Sequence, residues 1–232
     1  MKKTILSLVL LLVAISVQAQ YQRGDTFIYP RLGISVANMS GNDIYVDISR
    51  TGVDQLHSKG KSGLTAGLEL ETFAARQLSL SIGAFYANAG CRYDDFGYVD
   101  TQNAIYENTE NYKWNVHLLS VPLLANYYVT EHVALKLGIE GNYLLSAKST
   151  SDFTRGHMED ISKYIPEEQH SDSEDITSAF HKASFSIPIG ASVEYKHVVL
   201  DARYYLGITK ATKIYDSRHR WFSITLGYQI EL

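Results

Sequence analysis

Apolar and polar residues alternate one for one along most of this chain. The last dozen residues show it best: Phe222, Ile224, Leu226, Tyr228, Ile230 and Leu232 alternate with Trp221, Ser223, Thr225, Gly227, Gln229 and Glu231. A period of two is that of a β-strand with one apolar and one mostly polar face. The pattern recurs upstream. Leu32, Ile34 and Val36 face away from Arg31, Gly33 and Ser35, and Leu64, Ala66, Leu68 and Leu70 from Thr65, Gly67, Glu69 and Glu71. Leu78, Leu80, Ile82, Ala84 and Tyr86 continue it after a tight turn at Ala74 to Gln77, so the second and third strands form a hairpin. The fourth strand, Trp114 to Val129, is apolar on both sides from Leu118 to Leu124 apart from Ser120 and Pro122, and Leu119, Val121, Leu123, Ala125 and Tyr127 are assigned to its apolar face. Strands led by Val133, Phe185 and Leu200 bring the expected number to eight with the C-terminal one.

The connections alternate too. Long segments (Ala37 to Ser62, Cys91 to Lys113, Lys148 to Lys182) and an intermediate one (Lys210 to Arg218) take turns with short ones. That places the long loops at one end, the arrangement of an antiparallel eight-stranded transmembrane β-barrel with short periplasmic turns and long extracellular loops. The loops are rich in Asp, Asn, Ser, Thr and Glu, and the stretch Asp152 to Asp175 is expected to be solvated and mobile.

The N-terminus agrees with export. Lys2 and Lys3 precede an apolar run from Ile5 to Val17, and Val17-Gln18-Ala19 puts small residues where signal peptidase wants them. The run is too short to span a bilayer and reads as a signal peptide over 1–19, leaving a barrel domain over 20–232. The single cysteine, Cys91, cannot form an internal disulfide. The net charge of -4 becomes more negative once Lys2 and Lys3 are removed, and no basic nucleic-acid footprint is present.

Alternation does not say which face looks outward; composition does. The less apolar face is dominated by Gly, Ser, Thr and Ala, which suits a narrow lumen and not a soluble surface. It also carries Arg31, Lys136, Lys196 and Arg203 against Glu69, Glu71, Glu140, Glu194 and Asp201. Charges withdrawn from water need partners, so these residues are expected to form an interior ion-pair network. Tyr127 and Tyr195 at the turn end, with Tyr86 and Phe222 toward the loop end, are expected in aromatic girdles. Thr225, Gly227, Ile230 and Leu232 fit the polar, glycine and apolar positions of the terminal signal read by barrel-assembly machinery.

Two segments, Leu119-Ser-Val-Pro-Leu-Leu-Ala-Asn-Tyr127 and Phe185-Ser-Ile-Pro-Ile-Gly-Ala-Ser-Val-Glu-Tyr195, share an apolar-Pro-apolar centre that runs into an aromatic residue. With the leader, the eight strands and the small interior, they resemble the PorT-like outer-membrane β-barrel family of the Bacteroidetes type, small barrels in the manner of OmpA and OmpX. The resemblance implies an outer-membrane location and no catalytic signature, with a possible accessory role in protein secretion.

Candidate chemistry is sparse. His117 lies near the loop end on the apolar face, where a lipid-modifying barrel enzyme would place its histidine, but Ser120 is on the opposite face and no dyad forms. The acidic stretch Glu167 to Asp175 lacks the spacing of a calcium loop. No His or Cys pair has zinc spacing, and no cofactor motif occurs. The expectation is a monomeric, non-enzymatic outer-membrane barrel in contact with lipid, structural or binding a protein partner through its extracellular loops. A narrow porin-like channel for small solutes is the alternative, and a lipid-modifying enzyme the weakest reading.

Overall fold

The computed structural model describes residues 21–49, 52–100, 103–160 and 163–232. The leader expected over 1–19 lies outside the described residues. The strands are β1 (Thr26–Ser40), β2 (Ile44–Ser49), β3 (Gly52–Leu56), β4 (Lys61–Ala75), β5 (Leu78–Arg92), β6 (Phe96–Asp100), β7 (Ile105–Thr130), β8 (Val133–Asp160), β9 (Lys163–Asp175), β10 (Ala183–Tyr195), β11 (Val198–Gly207), β12 (Arg218–Tyr228) and β13 (Ile230–Glu231). Eight of them close a ring in the order β1, β12, β11, β10, β8, β7, β5, β4 and back to β1, each pair antiparallel. Closure leaves no ring strand with an unpaired edge in the wall, which is what a strand protein needs where no water can satisfy amides.

The apolar face points outward and the small, polar face inward. Leu32 is 64% exposed and Ile139 61%, whereas Glu69, Ser79 and Asn126 are fully buried. From Ile28 to Val36 the outward face of β1 is apolar, a run that matches the ~9–11 residues a tilted strand needs to cross a bilayer. Tyr127, Tyr195 and Tyr228 ring the outer wall near the tight turns, and Tyr86, Tyr143, Tyr204 and Phe222 ring it toward the loops. Cross-strand pairing aligns the second group into rows, Tyr86 with Leu119 and Tyr143, and Tyr204 with Phe222.

Several elements differ from the sequence reading. The C-terminal strand does not run unbroken to Leu232: it ends at Tyr228, Gln229 turns inward to donate to the Tyr29 hydroxyl at 3.1 Å, and β13 resumes the pairing with β1. The stretch expected as a mobile loop, Asp152 to Asp175, is instead the upper part of β8 paired with β9. Polar residues dominate it because both faces of the hairpin meet water, so period two carries no hydrophobic signal there. Pro122 keeps its pairing with Glu140 on β8 and interrupts the β5 ladder, and Pro188 keeps Tyr205 on β11 and interrupts the β8 ladder. Each proline thus turns its missing N–H toward a gap in one ladder.

The lumen is more apolar than its composition suggested. Trp114, Phe180, Tyr205 and Trp221 pack with Met39, Cys91, Leu118 and Leu144 in its loop-side half. Phe27, Tyr29, Phe73 and Tyr128 close the turn side, where Tyr21 stacks on Phe73 with ring centroids 4.1 Å apart. Residues assigned to the polar face by alternation, Phe85, Tyr205 and Trp221 among them, fill an interior of about the width that side chains of an eight-stranded ring can occupy.

The seam between β1 and β12 is tight at Gly33, which pairs with Thr225: a Cβ there would lie 2.0 Å from the Ile224 carbonyl oxygen. Gly33→Val is therefore expected to cost at least the ~1–3 kcal/mol of overpacking and to reduce the heat-modifiable folded band in refolding assays, while neighbouring Ser35→Ala leaves it intact.

Candidate functional site

Five of the nine charges expected inside meet at the middle of the lumen. Arg31 on β1, Glu69 on β4, Lys136 on β8, and Asp201 and Arg203 on β11 are all buried. Glu69 contacts Arg31 at 3.1 Å, Lys136 at 3.5 Å and Arg203 at 2.6 Å. Asp201 contacts the same three cations, Arg31 at 3.2 Å, Lys136 at 2.8 Å and Arg203 at 2.7 Å. Each carboxylate is thus held by every cation of the group. Because β1 and β8 lie on opposite sides of the ring, the cluster braces the wall across its diameter. Inward positions two residues apart on different strands made this possible: Arg31 pairs with Gly67 and Gly227, and Gly190 pairs with Arg203, so the long side chains have glycines beside them.

The remaining charges are held elsewhere. Glu71 accepts hydrogen bonds from the Ser79 hydroxyl, from Asn126 at 3.1 Å and from the Tyr128 hydroxyl at 2.8 Å. Glu140 accepts from Ser186 at 2.9 Å, and Glu194 from the Tyr21 hydroxyl at 2.9 Å. These three carboxylates are interior but form no ion pair with the central group. Lys196 does not belong inside at all. It occupies the tight turn between β10 and β11 with φ of 57°, is exposed, and lies over the Tyr195 ring at 5.5 Å. Alternation was carried one residue too far there, into a turn where it no longer assigns a face. Of the terminal positions, Thr225 and Gly227 face the lumen while Ile230 and Leu232 are exposed on the outer wall.

No reaction geometry accompanies these charges. The Tyr86 hydroxyl and His117 Nδ1 are 2.5 Å apart on the outer wall, and Ser120 donates to Asn142 Oδ1 at 2.6 Å in the lumen, so the two residues stay on opposite faces. Among the described residues, no group of three His, Cys, Asp or Glu side chains is placed to hold a metal ion.

The other distinctive region stands above the wall. β7 and β8 have 26 and 28 residues, about twice the 10 to 15 of the other ring strands. Beyond the barrel they continue as a sheet, flanked by β6 on one side and β9 on the other. Tyr106 and Tyr164 meet edge to face across it at 4.9 Å, and Phe153 meets His170 at 5.1 Å. The Ser171 hydroxyl and the Asn111 amide both donate to Asp152, at 2.7 and 2.8 Å, and these bonds hold its carboxyl below the usual aspartate range. Hairpin packing in the first loop adds Leu56 to the apolar plug below. Sequence reading missed the sheet because neither of its faces is apolar throughout; the aromatic residues among the polar ones, half-buried Tyr106 and Phe153 and exposed Tyr164, were the available signal.

Removing one partner from a fully buried ion cluster leaves the others without compensation. Asp201→Asn is expected to lower stability by about 3–5 kcal/mol in urea unfolding of the folded barrel, whereas Lys196→Gln, in the turn, is expected to change it by less than about 0.5 kcal/mol.

Comparison with known proteins places this architecture. Among curated protein sequences no match is found. The solved structures similar to it include Ail, the attachment invasion locus protein of Yersinia pestis, at 13% identity and TM-score 0.40, covering 90% of this chain and 100% of that one. Neisserial surface protein A is similar at 10% identity and TM-score 0.41, covering 88% and 97%. OprG from Pseudomonas aeruginosa is similar at 10% identity and TM-score 0.35, covering 92% and 99%. A family model described as the outer membrane protein beta-barrel domain matches residues 18–213. That match takes in most of the sequence, and the chain belongs to the outer membrane protein β-barrel domain family.

Proposed function

We propose that this outer-membrane barrel is a non-enzymatic surface-binding protein that presents the sheet of β6, β7, β8 and β9 to a protein partner outside the cell. The observation that carries the reading is the extension of β7 and β8 far beyond the length needed to cross the membrane. A transmembrane wall needs no such projection, and ordering it costs backbone entropy with no buried core in return. On β9, one edge pairs with β8 and the other pairs with no strand among the described residues, as edges that accept a further strand do. Glu167, Glu168, Asp172 and Glu174 line that strand and discourage indiscriminate pairing, favouring a partner of basic character. Tyr164 is half exposed among them and supplies an aromatic anchor of the kind interfaces use.

A narrow channel is the second reading, and the filled lumen weighs against it. An aromatic plug, an ion-paired layer and an apolar plug succeed one another along the axis. The leader over 1–19 and the terminal Thr225, Gly227, Ile230 and Leu232 fit the same proposal, as the signals that export the chain and deliver it to the assembly machinery. The narrower PorT-like kinship, with an accessory part in secretion, rests on the sequence resemblance alone and adds nothing to this geometry.

Site-specific photo-crosslinkers test the binding reading. Placed at Gln169 on intact cells, one is expected to give a discrete protein adduct, absent when residues 150–174 are replaced by a short turn in a barrel that still shows heat-modifiable migration. One placed at Tyr127 on the opposite rim should not give that adduct. Purified protein in planar bilayers is expected to add no stable conductance steps; regular steps at low voltage would favour the channel.

A further inference from the structure

On the outer wall, just above the loop-side aromatic row, the character of the outward face changes from apolar to cationic within a few residues. Cross-strand pairing on β5, β7 and β8 gives the order. The row of Tyr86, Leu119 and Tyr143 is followed by Asn88, His117 and Ser146. Next comes Asn115 paired with Lys148, and then Arg92 paired with Lys113 and Thr150. Each row is two residues, ~7 Å along the strand, above the last, and less than that in height because the strands tilt. The cations therefore stand at the level of lipid headgroups, directly above a wall built for acyl chains.

Arg92 and Lys113 are directly opposed like charges, an arrangement that destabilises a sheet when nothing lies between them. Lys61, a buried residue at an inward register position of β4, brings its Nζ up to them, donating to Asn88 Oδ1 at 2.8 Å and to the Ala89 carbonyl at 3.4 Å, which leaves one of its three donors unused. Arg92 uses only Nε, bonded to the Gly60 carbonyl at 2.9 Å, so its two terminal nitrogens remain for a ligand. Among the described residues no carboxylate lies within 4.0 Å of Lys61, Arg92, Lys113 or Lys148. The nearby acids have partners of their own: Asp94 has Lys59 at 2.6 Å, Asp152 has Ser171 and Asn111, Asp175 opposite Lys148 accepts from the Thr177 N–H at 2.8 Å, and Asp95, which lines the groove, accepts from the Asn111 N–H at 3.0 Å. Elsewhere on the rim the opposite holds, since Lys210 and Arg218 share Asp216.

Lys61, Arg92 and Lys113 border an open groove of about 710 Å³ whose floor includes Val36 and Ser62 from the lipid-facing side of β1 and β4, and Lys148 lies beyond Asn115 on the next strand. We infer that the groove binds a phosphate group of a lipid in the outer leaflet, with Lys61, Arg92 and Lys113 holding the phosphate, Asn88 and Asn115 donating or accepting at its edge, and Lys148 adding charge from the next strand. The position selects a lipid over a free anion. The groove opens above Val36 and the aromatic row, so a molecule with a phosphate at the level of Lys113 can lay its chains on the wall below. Guanidinium and ammonium groups together suit a phosphomonoester, which offers several acceptor oxygens and more than one charge. The site lies at the base of the projecting sheet and does not depend on what that sheet binds.

Full-length protein in phosphatidylcholine nanodiscs doped with diphosphorylated lipid A provides the test, with lipid retained on the protein counted by native mass spectrometry. Wild-type protein is expected to retain the phosphorylated lipid over its dephosphorylated form. Lys113→Gln with Lys148→Gln should reduce retention roughly fivefold for each charge removed, Lys113→Arg with Lys148→Arg should restore it, and Lys210→Gln should leave it unchanged. Heat-modifiable migration establishes that each variant is folded. Equal retention of both lipid forms by the wild type would overturn the proposal without recourse to any variant, as would full retention by the Gln pair. Complete displacement by millimolar inorganic phosphate would mean a free-anion site and would overturn it also.

Discussion

The structure depends on one constraint: inside a bilayer a backbone amide has no partner except another amide. A helix meets that demand within itself, but this chain alternates with period two and must meet it between strands. Ring closure follows, and with it the pairing of β1 to both β4 and β12 that joins the two ends of the barrel sequence. Closure then decides the side chains. Every second residue looks into lipid and must be apolar, and every other residue looks into a lumen of limited width and must fill it. Leu32 and Arg31 are neighbours in sequence, yet one is largely exposed to what surrounds the barrel while the other is sealed inside.

Filling such a lumen with charge is costly unless each charge has a partner, and here each has one, with one cation in excess of the carboxylates. Two carboxylates each touch the same three cations, so no single contact carries the group. The pairs do not lower the energy below what a hydrophobic filling of similar volume would reach, since desolvation offsets most of the attraction. What they add is directional. Ion pairs reach across from β8 to β4 and from β11 to β4, and few other registers of the ring bring these side chains together. Aromatic plugs above and below exclude water from the layer and so strengthen it. Glu71, Glu140 and Glu194 stand outside this group, each answered by hydroxyl or amide donors of its own.

Much of this was legible in the sequence, for reasons that also explain the rest. Alternation fixes a face wherever the two sides of a strand meet different media, so the eight wall strands, the outward apolar set and the inward charges could all be read. It fails where both sides meet the same medium. Residues 152–160 and 163–175 are strand with water on each side and looked like loop; in Leu118 to Leu124 the inward Leu118 and Leu124 are part of the buried filling of the lumen, so only Ser120 marks that face as polar. Lys196 shows a third kind of failure, in which the period is followed into a turn of positive φ. Which charges would meet could not be read either. That depends on the stagger between β1, β4, β8 and β11, and a single sequence carries no information on stagger. The cationic rows above Tyr86 escaped notice for the same reason, since Lys61, Arg92, Lys113 and Lys148 are remote in the chain and adjacent only through the register.

Those rows and the projecting sheet share their foundation. β7 and β8 pass from lipid through the headgroup level and into the sheet as continuous strands, with two register shifts on the way: at Leu145, where β8 has one residue extra against β7, and between Glu110 and Lys113, where β7 has one extra against β8. A pair of strands that leaves the closed ring loses the support of its neighbours, and a two-stranded ribbon alone is marginal in water. β6 and β9 widen the ribbon above; at its base, β5 still flanks β7 through the pairing of Arg92 with Lys113. That pairing places two like charges at the point where the sheet most needs rigidity, and it is an anion between them that converts repulsion into a clamp. A lipid phosphate in the groove would therefore do more than solvate the rim. It would fix the angle at which the sheet leaves the membrane, and with it the direction in which β9 offers its free edge.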